Sequence, residues 1–301
     1  MDHCVFIHSN PKQIVGAIVA QHALRRNSRN ADKFDVKIIT TDDHPFFAEY
    51  EGKTYLRDGV KRVWLNDDLQ SFTPLRFMPP ELMGYRGRAV IIDPDIFAVG
   101  DIWELLSRDM QNKSIIARAR SGTKGLIDHC MASSVMLLDC AKLTHWRCEA
   151  QFRSMFEMKL DYSDWICLKH EDRATIGLLE NEWNDFDKLT PQTKLLHNTR
   201  RWTQPWKTGL PVDFVPGEKI GGVPGVSFLL RKRREWFGDH ALLGRYVRHP
   251  DPAQERYFFG LLRECVERGI VTEDVLREEM RRKHLRGDAI ELLERTAPLP
   301  A

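Results

Sequence analysis

No stretch of this 301-residue chain is apolar for long enough to span a bilayer, and neither sign of charge dominates. The 45 Lys and Arg against 43 Asp and Glu leave a formal net charge of +2. That balance gives no argument for nucleic acid as the main partner. Internal repeats and low-complexity tracts are missing. So is any C-x-x-C pair: Cys4, Cys130, Cys140, Cys148, Cys167 and Cys265 are scattered. A structural zinc site is therefore not expected, and the cysteines read as small, reduced, mostly buried side chains. The chain opens on a strand-like run, not a signal-peptide layout, so a cytoplasmic location is expected. Finally, Ser9-Asn10-Pro11-Lys12-Gln13 is not the glycine-rich basic loop that a nucleotidyltransferase would carry after its first strand.

What is present is 42% hydrophobic residues, enough for one large domain or a domain with an appendage. Residues 5–8 read as a buried strand. A helix follows, with Asn10 as N-cap, Pro11 at its first position and an apolar face of Ile14, Val15, Ile18 and Val19. Strands are expected at 34–40, 60–65, 88–92, 114–117 and 133–138. Helices are expected at 74–83, 141–159 and 174–179, then at 253–268 and 272–284. Residues 216–225 read as a Gly/Pro-rich loop, and the chain from residue 235 onward as largely helical. The alternation over the first half predicts an α/β, Rossmann-like, mostly parallel sheet flanked by helices. Residues 1–230 are expected to form the α/β domain and 231–301 a mainly helical extension.

Asp93-Pro94-Asp95 is the most informative motif. It leaves the apolar run Ala89-Val90-Ile91-Ile92 and precedes Ile96-Phe97-Ala98. Two carboxylates in a turn stiffened by proline suit a divalent cation, and a cation there suits a diphosphate. Asp and Pro are also ordinary turn residues. Asp101-Ile102-Trp103-Glu104 reads as a capping box, with Asp101 as N-cap and Glu104 reaching back. The order strand, acidic turn, helix suits a site at the carboxyl end of a strand in an open α/β sheet.

Further on come Ala132-Ser133-Ser134-Val135-Met136-Leu137-Leu138-Asp139, Trp183-Asn184, Leu195-Leu196-His197 and Gln204-Pro205-Trp206. With the Arg-containing segment 73–82, this ordered set resembles glycosyltransferase family 8, which includes glycogenin and bacterial lipopolysaccharide sugar transferases. The resemblance covers roughly residues 3 to 210. It implies the A-type glycosyltransferase fold, a nucleotide-sugar donor (usually a uridine diphosphate sugar), manganese and retention of anomeric configuration. It also implies that Asp93, Asp95 and His197 bind the metal. Two carboxylates and an imidazole favour manganese, with magnesium as the alternative.

The chain departs from the family pattern in places. The family's asparagine and glycine positions before the central strand fall on Ala132 and Ser134. Its aspartate-glutamine pair falls near Glu171-Asp172-Arg173, without the glutamine. Its C-terminal lysine position holds Gln204, so Arg200, Arg201 or Lys207 would replace that lysine at the diphosphate. Asp172 is the candidate to stabilise the cationic sugar, although it could simply cap the turn near Ala174. His8 and Asn10 are placed where base and ribose would dock, and Arg76 could reach donor phosphate or sugar. Trp206 is the candidate cleft wall.

The basic-aromatic cluster Arg231-Lys232-Arg233-Arg234 with Trp236 and Phe237 reads first as solvated charge. Weak peripheral membrane contact is its alternative. The expectation is a metal-dependent, retaining glycosyltransferase of the hexosyl type, with a glycan, lipid or protein acceptor. The alternatives are a protein of the same fold that binds a nucleotide sugar or glycan without turnover, or a nucleotidyltransferase.

Overall fold

The computed structural model of the chain describes residues 2–121, 127–214 and 244–300. They form a mixed α/β structure, with helices flanking a central, mostly parallel sheet. The strands are β1 (His3–Ser9), β2 (Asp35–Thr40), β3 (Thr54–Arg57), β4 (Val60–Val63), β5 (Arg88–Ile92), β6 (Ile96–Ala98), β7 (Ile115–Ser121), β8 (Ile127–Asp139), β9 (Ile176–Leu178), β10 (Asp185–Phe186) and β11 (Leu195–His197). The main sheet runs β2-β1-β5-β8-β7-β9. β1 pairs in parallel with both β2 and β5, and β9 with β7, whereas β8 runs antiparallel to β5 and β7. A smaller sheet runs β10-β11-β6.

β1 shows why these residues make a central strand. Cys4 and Phe6 join an aromatic-rich core that includes Phe77, Trp146 and Phe152. Val5 and Ile7, on the opposite face, are also fully buried. Burial on both sides accounts for the unbroken apolar run. Helix α1 (Ile14–Arg26) packs against β1, β2 and β6. Asn10 precedes the short 3₁₀ turn Pro11–Gln13, but its side chain does not cap it. Its amide donates to Ser71 Oγ at 2.9 Å instead.

By Cα packing the chain divides into two units, Met1–Asn66 with Gln70–His197, and Asp67–Leu69 with Asn198–Ala301. The second contains helices Pro252–Glu267, Glu273–Arg281 and Ala289–Arg295. Asp251 and Thr272 cap the first two through their side chains. The loop at 216–225, the basic-aromatic cluster at 231–237 and the expected domain boundary at 230 lie outside the described residues. Among the described residues, no helix is long and apolar enough to cross a membrane.

Several expectations are corrected. Residues 174–179 are not a helix: a 3₁₀ turn at Arg173–Thr175 leads into β9, where Ile176 and Gly177 pair with Ile115 and Ile116. The strand expected at 60–65 is β4, which pairs with β3 in a two-stranded hairpin apart from the main sheet. The expected helix at 74–83 is a 3₁₀ turn, Thr73–Phe77, followed by a short helix, Pro79–Leu82. The one at 141–159 shortens to Cys148–Phe156, and Glu81 fixes its start by accepting the Cys148 N–H at 2.8 Å. Asp101 does accept the Trp103 N–H at 2.9 Å, but Glu104 pairs with Lys194 at 2.8 Å instead of closing a capping box. Trp206 is a core residue of the second unit, stacked on Phe258 with ring centroids 4.8 Å apart.

The cysteines were expected to be reduced, but Cys130 and Cys167 form a disulfide across 37 residues of sequence. The other four are free and buried. The bridge removes the cysteine pattern as a ground for placing the chain in a reducing compartment.

Candidate metal centre

The site is built where β5 leaves the sheet, between parallel β1 and antiparallel β8. The Ile96 N–H donates to the Asp93 carbonyl at 3.2 Å, closing a tight turn around Pro94. α1 passes so close beneath that a β-carbon on Gly16 would lie 2.6 Å from the Pro94 carbonyl oxygen. The chain then turns into β6, which pairs antiparallel with β11 so that Ile96 faces His197. This register brings an imidazole more than a hundred positions away beside Asp95. Ligand atoms of Asp93, Asp95 and His197 all lie within 4.8 Å of one another.

Asp93 is held firmly. Arg76 Nε donates to Oδ1 at 3.0 Å and Nη2 to Oδ2 at 2.5 Å. His8 Nε2 lies 2.9 Å from Oδ1. Burial alone would raise the Asp93 carboxyl, but Arg76 and His8 hold it well below the usual carboxylate range. Burial pushes the His8 imidazole down, against the pull of Asp93. A neutral His8 donating from Nε2 fits the closer Asp93 oxygen, since its buried Nδ1 meets no donor or acceptor among the described residues. Arg76 Nη1 also donates to Ser133 Oγ at 3.0 Å. Arg76 is only 8% exposed, buried between Asp93 and Ser133.

His197 is oriented from behind. Its Nδ1 lies 2.7 Å from Asn184 Oδ1, while the Asn184 amide donates to Ser134 Oγ at 2.9 Å. That network assigns the proton to Nδ1 and leaves a lone pair on Nε2. Nε2 faces Asp95 Oδ1 at 3.3 Å. Two acceptors at that distance repel unless a proton or a cation lies between them. The donor set therefore fits a divalent cation: one imidazole nitrogen, the Asp95 carboxylate and the lone pair on Asp93 Oδ2 that Arg76 does not occupy. Asn184 supplies the supporting contact typical of ligating histidines.

The other candidates each have partners of their own. His8 is fully buried against Asp93, and Asn10 is engaged with Ser71. Asp172 is exposed and caps its 3₁₀ turn, accepting the Ala174 N–H at 2.9 Å. Neighbouring Glu171 accepts from the Trp146 indole at 2.7 Å. Arg200, Arg201 and Lys207 belong to the second unit. There Arg201 lies over the Phe214 ring, and Lys207 is completely buried against Asp213 at 2.5 Å. Sequence reasoning missed the roles of Ser133, Ser134 and Asn184. The only signal for Asn184 was its place in the ordered motifs.

No protein-family model and no curated protein matches the chain. Similar solved structures include the glycosyltransferase GlyE of Streptococcus pneumoniae TIGR4, at 15% identity and a TM-score of 0.47 over 67% of this chain. The chain spans 55% of the length of that structure. The galactosyltransferase LgtC with donor and acceptor sugar analogues is similar at 11% identity and a TM-score of 0.47, over 67% of this chain and 89% of that one. Mouse xyloside xylosyltransferase 1 is similar at 13% identity and a TM-score of 0.42, over 66% of this chain and 98% of that one.

Proposed function

We propose that this chain is a metal-dependent sugar transferase of the A-type glycosyltransferase fold, taking a nucleotide sugar, of the uridine diphosphate class, as donor. The observation that carries the proposal is the convergence of Asp93, Asp95 and His197, whose ligand atoms lie within 4.8 Å of one another, with His197 Nε2 3.3 Å from Asp95 Oδ1. Asp93, Asp95 and His197 would hold it, and manganese suits their mixed nitrogen and oxygen donors. A divalent cation there supplies positive charge for a departing diphosphate.

The chain's own residues act by position. Arg76 and His8 keep Asp93 ionised and fix its carboxylate plane. Asn184 keeps the His197 proton on Nδ1, so that Nε2 can ligate. Retention of configuration enters from the family resemblance, as does the uridine base. Asp172, engaged as a cap, is given no chemical step.

Calorimetric titration of manganese with and without uridine diphosphate tests the proposal. Manganese-dependent nucleotide binding is expected in the native chain and should vanish in Asp95→Asn, and uridine diphosphate should be released from at least one sugar donor. Unchanged manganese-dependent affinity in Asp95→Asn would count against the site. One observation favours a second reading, binding without turnover: Asp93 already has a permanent counter-ion in Arg76. Tight manganese-dependent binding with no release of diphosphate from any sugar donor would select it.

A further inference from the structure

We infer that the Cys130–Cys167 disulfide is a redox-sensitive fastening for Asp93, acting through Ser133 and Arg76. The bridge joins β8 to the residue that ends the helix Tyr162–Ile166. Beside it, the Met131 N–H donates to the Cys167 carbonyl at 3.1 Å. One residue before Cys167, the Ile166 carbonyl accepts the Ser133 hydroxyl at 2.6 Å. Ser133 Oγ in turn accepts from Arg76 Nη1 at 3.0 Å, and Arg76 grips both oxygens of Asp93. The same helix supports Arg76 a second way: Trp165 stacks on Phe77, the next residue, with ring centroids 4.4 Å apart. The turn itself is tied to β8, because the Asp93 N–H donates to the Ser134 carbonyl at 3.1 Å.

The covalent bond thus closes a circuit whose remaining links are hydrogen bonds and one ring contact. A dithiol reductant opens it. The S–S bond breaks, the two sulfurs take up two electrons and two protons to become thiols, and the reductant closes to its own disulfide. The helix end then keeps its hydrogen bonds from Met131 and Ser133 and its packing but loses its covalent tie to β8, and the Ser133 hydroxyl loses its fixed acceptor whenever that end frays. The consequence for cation affinity rests on the metal site proposed above; the coupling to Asp93 does not.

The experiment is hydrogen exchange by mass spectrometry on the full chain, oxidised and reduced, paired with manganese titration. Reduction, verified by a gain of two mass units, should leave the far-UV circular dichroism intact. It should speed exchange in the segments holding Asp93 and Ser133 by about tenfold, as a local opening does. Cys130→Ala/Cys167→Ala should show the fast exchange without reductant and ignore its addition. Oxidised glutathione should restore slow exchange to the native chain. Manganese affinity should fall with the same dependence on reductant. Unchanged exchange at Asp93 and Ser133 after verified reduction would overturn the inference. Collapse of the whole dichroism signal would overturn it too, because the bridge would then hold the fold and not the turn. If exchange at Asp93 responds to reduction while the oxidised chain binds no manganese, the coupling holds and the metal site fails.

Discussion

Each unit of the molecule sets a carboxylate beside a buried cation, and the two are completed differently. In the second unit, Lys207 Nζ and the Tyr246 hydroxyl each donate to one oxygen of Asp213 at 2.5 Å. Burial, with Asp213 adding to it, drives the Tyr246 phenol far above its ordinary range, so it stays a donor. Each carboxylate oxygen there has a donor. In the first unit, Arg76 and His8 answer Asp93 in the same manner. Yet next to it Asp95 and His197 turn acceptors toward each other. A buried network in which donors match acceptors stabilises a fold, whereas two carboxylates and an imidazole with ligand atoms within 4.8 Å of one another could hold a metal ion.

The contrast breaks most visibly at Lys207. Lys207→Ala removes a fully buried cation from the half-buried Asp213 and should cost about 1–3 kcal/mol in urea unfolding. Asp95→Asn replaces a carboxylate close to Asp93 with a neutral amide of the same shape, and should change metal-free stability by less than about 1 kcal/mol. Equal destabilisation by the two substitutions would erase the distinction between the networks.

A smaller effect sharpens it. Asn184→Ala frees the His197 tautomer without touching a ligand atom, and should weaken manganese binding by about 10–100-fold in a calorimetric titration. Intact affinity would show that Asn184 only packs.

The smallest effect is pH-dependent. The folded pKa of His8 lies below its ordinary value near 6.5, so the unfolded chain binds the proton first. The stability that His8 contributes is complete above about pH 6.5 and is lost as pH falls toward the folded value. The depressed carboxyl of Asp93 adds a loss that begins only below about pH 4. Urea midpoints between pH 8 and pH 5 should therefore decline in the native chain and flatten in His8→Gln. A native midpoint that is level over that interval would show that His8 titrates alike in the folded and unfolded chains.

The sequence revealed what is local. The run Ala89–Ile92 into Asp93-Pro94-Asp95 marked a strand and its acidic exit, because burial on both faces demands unbroken apolar residues and the turn demands proline. Two helices of the second unit were legible at 253–268 and 272–284, close to the observed Pro252–Glu267 and Glu273–Arg281. Short elements were not. Three residues of β9 cannot display a period, and only pairing with β7 makes them a strand. Partners chosen through space were equally hidden. His8, Arg76 and Ser133 lie far apart along the chain, and nothing in their spacing says that they meet around one carboxylate. The disulfide is of the same kind, since no pattern singles out Cys130 and Cys167 from six cysteines.

Gly16 carries no charge, makes no polar side-chain contact and is easily passed over in a search for functional groups. With 2.6 Å between its missing β-carbon and the Pro94 carbonyl, the acidic turn rests on a seat with no thickness to spare. The height at which the two aspartates stand is thus gauged by a hydrogen atom on the first helix. Charge chemistry and steric alignment are separable there, and a single methyl group would be enough to tell them apart.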